Sequence, residues 1–174
     1  MTPLKFKVIM VGQGEVGKTA LCMRLTQGKF QADYTLTIGT SYFVHKVTAP
    51  KGEVLLQIWD FSGQEHFTSI LGPFTKGAHG VLLVFDLANK TSLTTLEPFG
   101  LPFLHQHLPR LPIFLIGTKQ DLEEEREAED AQIEMLQETI PHLILYRSTS
   151  AKLDLNVSEA FQQIATYLAD NQQL

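Results

Sequence analysis

Gly12-Gln13-Gly14-Glu15-Val16-Gly17-Lys18-Thr19 decides the fold of this 174-residue chain. The stretch matches G-x-x-x-x-G-K-[ST]; it directly follows the apolar run Leu4–Val11 and opens the helix-forming segment Lys18–Gln27. Its spacing has a chemical reason. Glycine at 12 and 17 permits backbone angles and close approaches that a side chain would block, so successive N–H groups can turn inward around a phosphate. The positive end of the helix beginning at Lys18 points at the same place. The Lys18 ammonium is then positioned to bridge the β- and γ-phosphates of a nucleotide. The Thr19 hydroxyl is positioned to ligate magnesium, which prefers hard oxygen donors.

Outward from this loop, short apolar runs alternate with longer amphipathic segments, the pattern of a mostly parallel sheet covered by helices on both faces. Strands are predicted at Leu4–Val11, 42–48, 53–60, Gly80–Asp86, Ile113–Thr118 and 143–146. The second and third are separated only by Ala49-Pro50-Lys51-Gly52, too short for a crossover helix, so they should form an antiparallel hairpin at one edge. Helices are predicted at Lys18–Gln27, after Gln64, and at 91–107, 127–139 and 156–169. Pro98, Gly100 and Pro102 lie inside the third, where each proline costs about 3 kcal/mol in a helix interior, so a kink or break is expected. The acidic stretch Glu123 to Asp130 reads as a solvated loop and first helical turn.

Composition bounds the possibilities. Residues 1–174 have ample apolar material, 44%, for one core but too little length for two ordinary domains, so a single domain is expected. No apolar run approaches the roughly 18 to 20 residues of a membrane span, and the first residues do not read as a signal peptide. Cys22 is the only cysteine, which excludes an internal disulfide, fits the cytosol, and reads as a buried structural thiol. A net charge of −5 argues against a nucleic-acid partner. His105 and His107 are two apart and on different faces of a helix, so no histidine metal site is expected.

Three further motifs stand at the carboxyl ends of predicted strands, where open parallel sheets place their ligands: Trp59-Asp60-Phe61-Ser62-Gly63-Gln64-Glu65, Thr118-Lys119-Gln120-Asp121 and Thr149-Ser150-Ala151-Lys152. With these the chain resembles the Ras superfamily of small GTPases over nearly its whole length. Thr37-Ile38-Gly39, Ile58-Trp59-Asp60 and Gly77-Ala78-His79-Gly80-Val81 make it most similar to the Rab branch, although Gly14 leans toward Ras and Rho. The resemblance implies a P-loop α/β fold with a six-stranded sheet, and a switch that binds GTP and magnesium, hydrolyses GTP slowly to GDP, and binds effectors in the GTP state; the Rab likeness implies a role in membrane traffic. It also implies a monomer that meets a GTPase-activating protein, an exchange factor and effectors.

The resemblance carries roles to individual positions. The loop residues Gly14, Glu15, Val16, Gly17, Lys18, Thr19 and Ala20 would hold the phosphates, with Thr37 and Gly63 contacting the γ-phosphate through backbone N–H groups. Asp121 would accept from the ring N1–H and exocyclic amine of guanine, donors that adenine lacks on that edge, and Ala151 would donate its N–H to the guanine oxygen. Thr118, Ser150 and Lys152 belong to the same base-binding motifs, while Lys119 and Phe30 would cover the two faces of the nucleoside. Thr19, Thr37 and Asp60 would form the magnesium site. Gln64 would orient the attacking water, with Lys18 and Thr37 completing the catalytic group. Tyr42, Trp59 and Phe74 align with an aromatic trio that contacts effectors, and are expected to cluster on a partly exposed apolar surface.

The departures from the family are specific. Thr118 stands where most members carry Asn, and a hydroxyl replaces only part of that amide's bridging. Glu15 puts a carboxylate near the phosphates, and Phe61 replaces a small residue. The alternative reading is therefore a pseudo-GTPase that binds guanine nucleotide without hydrolysing it; an ATP-using phosphotransferase would need a lid for which the length leaves little room. The chain ends Asp170-Asn171-Gln172-Gln173-Leu174 with no cysteine after Cys22, so peripheral membrane association is expected only through a tail absent here or through partners.

Overall fold

The computed structural model of the chain describes residues 2–32, 39–61 and 72–172. Six strands form one sheet in the order β2-β3-β1-β4-β5-β6: β1 (Leu4–Val11), β2 (Thr40–Ala49), β3 (Gly52–Phe61), β4 (Gly80–Asp86), β5 (Ile113–Thr118) and β6 (Leu143–Ser148). All pair in parallel except β2 with β3, whose register runs from Thr40 opposite Phe61 to Ala49 opposite Gly52. Pro50 and Lys51 alone close this edge hairpin, as the short connection requires.

The apolar runs lack polar alternation because both faces are covered. Phe6, Val8 and Met10 of β1, Leu82 and Val84 of β4, and Phe114 and Ile116 of β5 pack in one cluster with α1 (Lys18–Gln27) and α6 (Val157–Asp170). The alternate residues Ile9, Val81, Leu83, Phe85, Ile113 and Leu115 pack in a second cluster. That face is covered by α3 (Lys90–Thr94), α4 (Leu101–His107) and α5 (Asp130–Thr139). Cys22 is wholly buried on α1 with its thiol 3.2 Å from the Met10 sulfur, and burial pushes its pKa well up, as befits a packing residue.

The expected break near Pro98 takes a definite form. The helix α3 gives way to a π-helical turn over Leu96–Gly100, in which the Leu101 N–H reaches back to the Leu96 carbonyl, and α4 then starts with Pro102 in its first turn, where no N–H is needed. β2, β3 and β6 run one or two residues past their expected ends, and two helices start later than expected. The fifth helix starts at Asp130 instead of 127, because the N–H groups of Glu127 and Ala128 bond the Leu87 carbonyl and Glu129 forms a capping box with Gln132. The sixth starts at Val157, since Asn156 is left-handed and donates its amide to the Ser148 carbonyl. Glu123–Glu125 is an exposed 3-10 turn. Of the helix expected after Gln64, α2 (Gly72–Thr75) is described and the remainder lies outside the described residues. Among the described residues no helix is long and apolar enough to cross a membrane.

Phe161 of α6 has no solvent exposure and lies in the first cluster. Phe161→Ala should lower the unfolding free energy by about 3–5 kcal/mol, read by urea denaturation. A loss below about 1 kcal/mol would contradict this packing.

Candidate functional site

The loop between β1 and α1 is shaped by what its backbone touches. A Cβ on Gly12 would lie 2.2 Å from the Val84 carbonyl oxygen of β4, so a side chain there collides with backbone that cannot swing aside. Gly17, at φ 95°, turns the chain into α1 and accepts the helix's first bond from the Leu21 N–H at 2.9 Å. Glu15 also has a positive φ of 65°, a left-handed conformation that costs a residue with a side chain roughly 1–2 kcal/mol; its carboxylate is exposed to water.

Lys18 and Asp60 are both buried and attract one another electrostatically. The Lys18 ammonium donates to the carbonyls of Gly12 at 2.8 Å and Gln13 at 2.9 Å, so it lies over the concavity of its own loop. Burial pulls its pKa down to about 8, against the attraction of Asp60. Asp60, buried near the end of β3, is pushed upward by burial and held back by the Thr19 hydroxyl and Lys18. The Thr19 hydroxyl donates to Asp60 Oδ2, while Oδ1 is buried with no hydrogen-bond partner among the described residues. An unmatched carboxylate oxygen beside a hydroxyl is a hard-oxygen donor set, and it fits magnesium.

The other end of the site is built by the loops after β5 and β6. The Thr118 hydroxyl bonds the Val16 carbonyl of the first loop and lies 3.0 Å from the Phe85 carbonyl, so it ties the end of β5 to that loop. Lys119 is left-handed, and its ammonium pairs with the buried Asp86 at 2.7 Å. That acid also accepts from the Ala88 N–H at 2.8 Å. Ser150 Oγ donates to Asp121 Oδ1 at 2.5 Å, fixing the plane of that carboxylate. The two loops are joined by backbone, with Gln120 N–H to Thr149 O at 3.0 Å and Thr149 N–H to Gly117 O at 2.7 Å. Phe30, 37% exposed, follows the end of α1. Thr37, Gly63 and Gln64 lie outside the described residues.

Tyr42, Trp59 and Phe74 are brought together, with ring centroids 5.3 Å apart for the first pair and 6.3 Å for the second. Tyr42 and Phe74 are 49% and 41% exposed. Sequence reasoning missed two residues that hold these arrangements. Asp86 had a signal, an acid closing the all-apolar run of β4. Lys7 of β1 donates to the carbonyls of Phe74 at 2.6 Å and Lys76 at 3.0 Å and lies 4.5 Å from the Trp59 ring centroid. It caps the end of α2 and joins it to the hairpin.

The model of the Ras family matches residues 7–170. The chain is 36% identical over 169 residues to the Ypt/Rab-type GTPase ypt7 of Schizosaccharomyces pombe, covering 95% of this chain and 82% of that protein. It is 37% identical over 163 residues to ypt7 of Pyricularia oryzae, covering 91% and 80%. Against the Ras-related protein Rab-13 of Rattus norvegicus identity is 32% over 160 residues, covering 92% and 78%.

Two glycines in one loop should behave differently. Gly12→Ala drives a Cβ into the Val84 carbonyl, whereas a Cβ on Gly14 meets nothing within 4 Å. Thermal melting should drop sharply for Gly12→Ala and hardly move for Gly14→Ala; equal shifts would refute the contact.

Proposed function

The chain belongs to the Ras family, in its Rab branch, and is a small GTPase; from that premise we propose that its one domain is a magnesium-dependent switch in membrane traffic. In this reading it hydrolyses GTP slowly, binds effectors in the GTP state, and works as a cytosolic monomer with at most peripheral membrane contact. The observation that carries the reading is the base end of the site: a carboxylate fixed by Ser150 and a lysine fixed by Asp86, on loops tied to the phosphate loop through Thr118.

The chemistry follows residue by residue. Asp121 accepts from guanine N1–H and the amine, the Ala151 N–H meets the 6-oxo group, and the Lys119 stem and Phe30 ring cover the faces. Ser150 and Lys152 support the base loop. The N–H groups of residues 14–20 and the Lys18 ammonium hold the phosphates, whose charge offsets the burial of Lys18. Thr19, Thr37 and Asp60 would hold magnesium, which when bound neutralises phosphate charge. Thr37 and Gly63 contact the γ-phosphate and release on hydrolysis, giving two states. Gln64 aligns a water on the γ-phosphorus, the bond to the β–γ bridging oxygen breaks, and Lys18 stabilises charge on the departing GDP. In the GTP state the exposed rings of Tyr42 and Phe74, with the partly buried Trp59 between them, form the surface offered to effectors, and regulators supply exchange and acceleration. Neither Thr118 nor Glu15 favours a non-hydrolysing module: Thr118 still binds the phosphate loop from β5, and Glu15 is exposed to water.

The arginines are Arg24, Arg110, Arg126 and Arg147. Arg24 and Arg147 bond backbone carbonyls, and Arg126 bonds Asp130 and its own segment. Without an arginine at the γ-phosphate, a contribution of about 10³ to 10⁵ in rate is missing. Single-turnover phosphate release from protein preloaded with GTP and magnesium should therefore run on the order of 10⁻⁴ s⁻¹ and fall further in Gln64→Leu. A rate on the order of 1 s⁻¹ would place a catalytic cation in the chain itself. Asp121→Asn should weaken GDP and favour xanthosine diphosphate, whose 2-oxo group accepts from the new amide; unchanged GDP affinity measured by competition would sink the base assignment.

A further inference from the structure

Arg24 lies in the last turn of α1, and its hydrogen bonds among the described residues go to backbone carbonyls. Nε donates to Ala151 at 2.6 Å, Nη1 to Gly28 at 2.8 Å and Nη2 to Lys152 at 3.2 Å. One rigid, planar fork thus joins two stretches of chain more than 120 residues apart: the end of α1 that leads to Phe30, and the loop that carries Ala151. None of its three partners is a carboxylate, so the cation is matched by carbonyl dipoles, including those at a helix C-terminus, where positive charge is favoured.

The same loop is held from its other side. The Leu155 N–H donates to the Ser150 carbonyl at 2.9 Å, and the Ser150 N–H donates to the Leu155 carbonyl at 3.0 Å. The Ser150 carbonyl and the Ala151 N–H share one planar peptide and point oppositely, so Leu155 turns the Ala151 N–H away from itself. Rotation about the next bonds is then stopped by Arg24, which fixes the Ala151 carbonyl.

We propose that Arg24 is a positioning residue for guanine recognition: by clamping the Ala151 and Lys152 carbonyls to the end of α1, it aims the Ala151 N–H at the 6-oxo group of the base. The inference rests on the base site proposed above. It assigns part of the nucleotide's residence time to a side chain that touches neither base nor phosphate.

The test compares the full chain with Arg24→Met and Arg24→Lys, in magnesium, using GDP and 2-aminopurine riboside 5′-diphosphate, which lacks the 6-oxo group. Arg24→Met should speed GDP release about tenfold, the scale of one charge-assisted hydrogen bond. It should shrink the preference for GDP over the 2-aminopurine nucleotide by a similar factor, measured by competition against a fluorescent GDP analogue. Arg24→Lys, with a single ammonium for three carbonyls, should fall between, and it carries the test if the methionine variant does not fold. Unchanged GDP release, or equal weakening of both nucleotides, overturns the inference and leaves the base site standing. A parent chain with no preference for GDP over ADP overturns the base site and the inference together.

Discussion

The structure depends on a contact that has no side chain in it. The Cα of Gly12 lies against the Val84 carbonyl so closely that a methyl group would overlap it. This fixes where the chain leaves β1 and therefore where α1 begins. From there the constraint spreads through hydrogen bonds. Thr118 holds the Val16 carbonyl and lies beside that of Phe85, so one hydroxyl gathers the first loop, β4 and β5 at their carboxyl ends. A side-chain oxygen serves where an amide is usual in the family because the partners within reach are carbonyls, which need only a donor.

With the loop placed, electrostatics follow from burial. Lys18 and Asp60 are both withdrawn from water, and each has its charged form disfavoured by desolvation and supported by the other. A phosphate for the ammonium and a divalent cation for the carboxylate would remove both penalties at once. The site therefore gains more from a metal-nucleotide complex than from either part alone. Glu15 does not disturb this balance strongly, since an exposed carboxylate is screened by water.

Most of the architecture was legible because it is written locally. Strands buried on both faces must be continuous apolar runs, and the connection at Pro50-Lys51 leaves only a hairpin. Pro98 and Pro102 likewise announce a break in the helix, though not its π-helical form, which depends on Leu101 finding the Leu96 carbonyl. Boundaries went wrong where a distant group intervened. Glu127 has a helix former's composition around it, yet its N–H goes to Leu87 and its carboxylate accepts from the Lys90 N–H. In the site, motif residues were legible as types, while of their supports only Asp86 left a trace, an acid closing an apolar run. Asp86, Lys7 and Arg24 act through partners 33, 67 and 127 positions away, and no local pattern encodes such distances.

That difference separates the two ends of the site physically. In the proposed reading the phosphate end uses consecutive backbone N–H groups, and the path of that loop is constrained by Gly12 and Gly17. The proposed base end rests on Ser150 on Asp121, Asp86 on Lys119 and Arg24 on Ala151, each a bond between segments that meet only in the folded chain. Bonds of this kind are lost one at a time, and several sit in partly exposed positions where opening costs less than global unfolding. The base end is thus the part that can loosen while the phosphate loop keeps its shape. A partner that separates the loop after β6 from the end of α1 would weaken the grip on the nucleotide without disturbing the phosphate loop. Arg24 spans those two segments, so such a separation has to break its bonds.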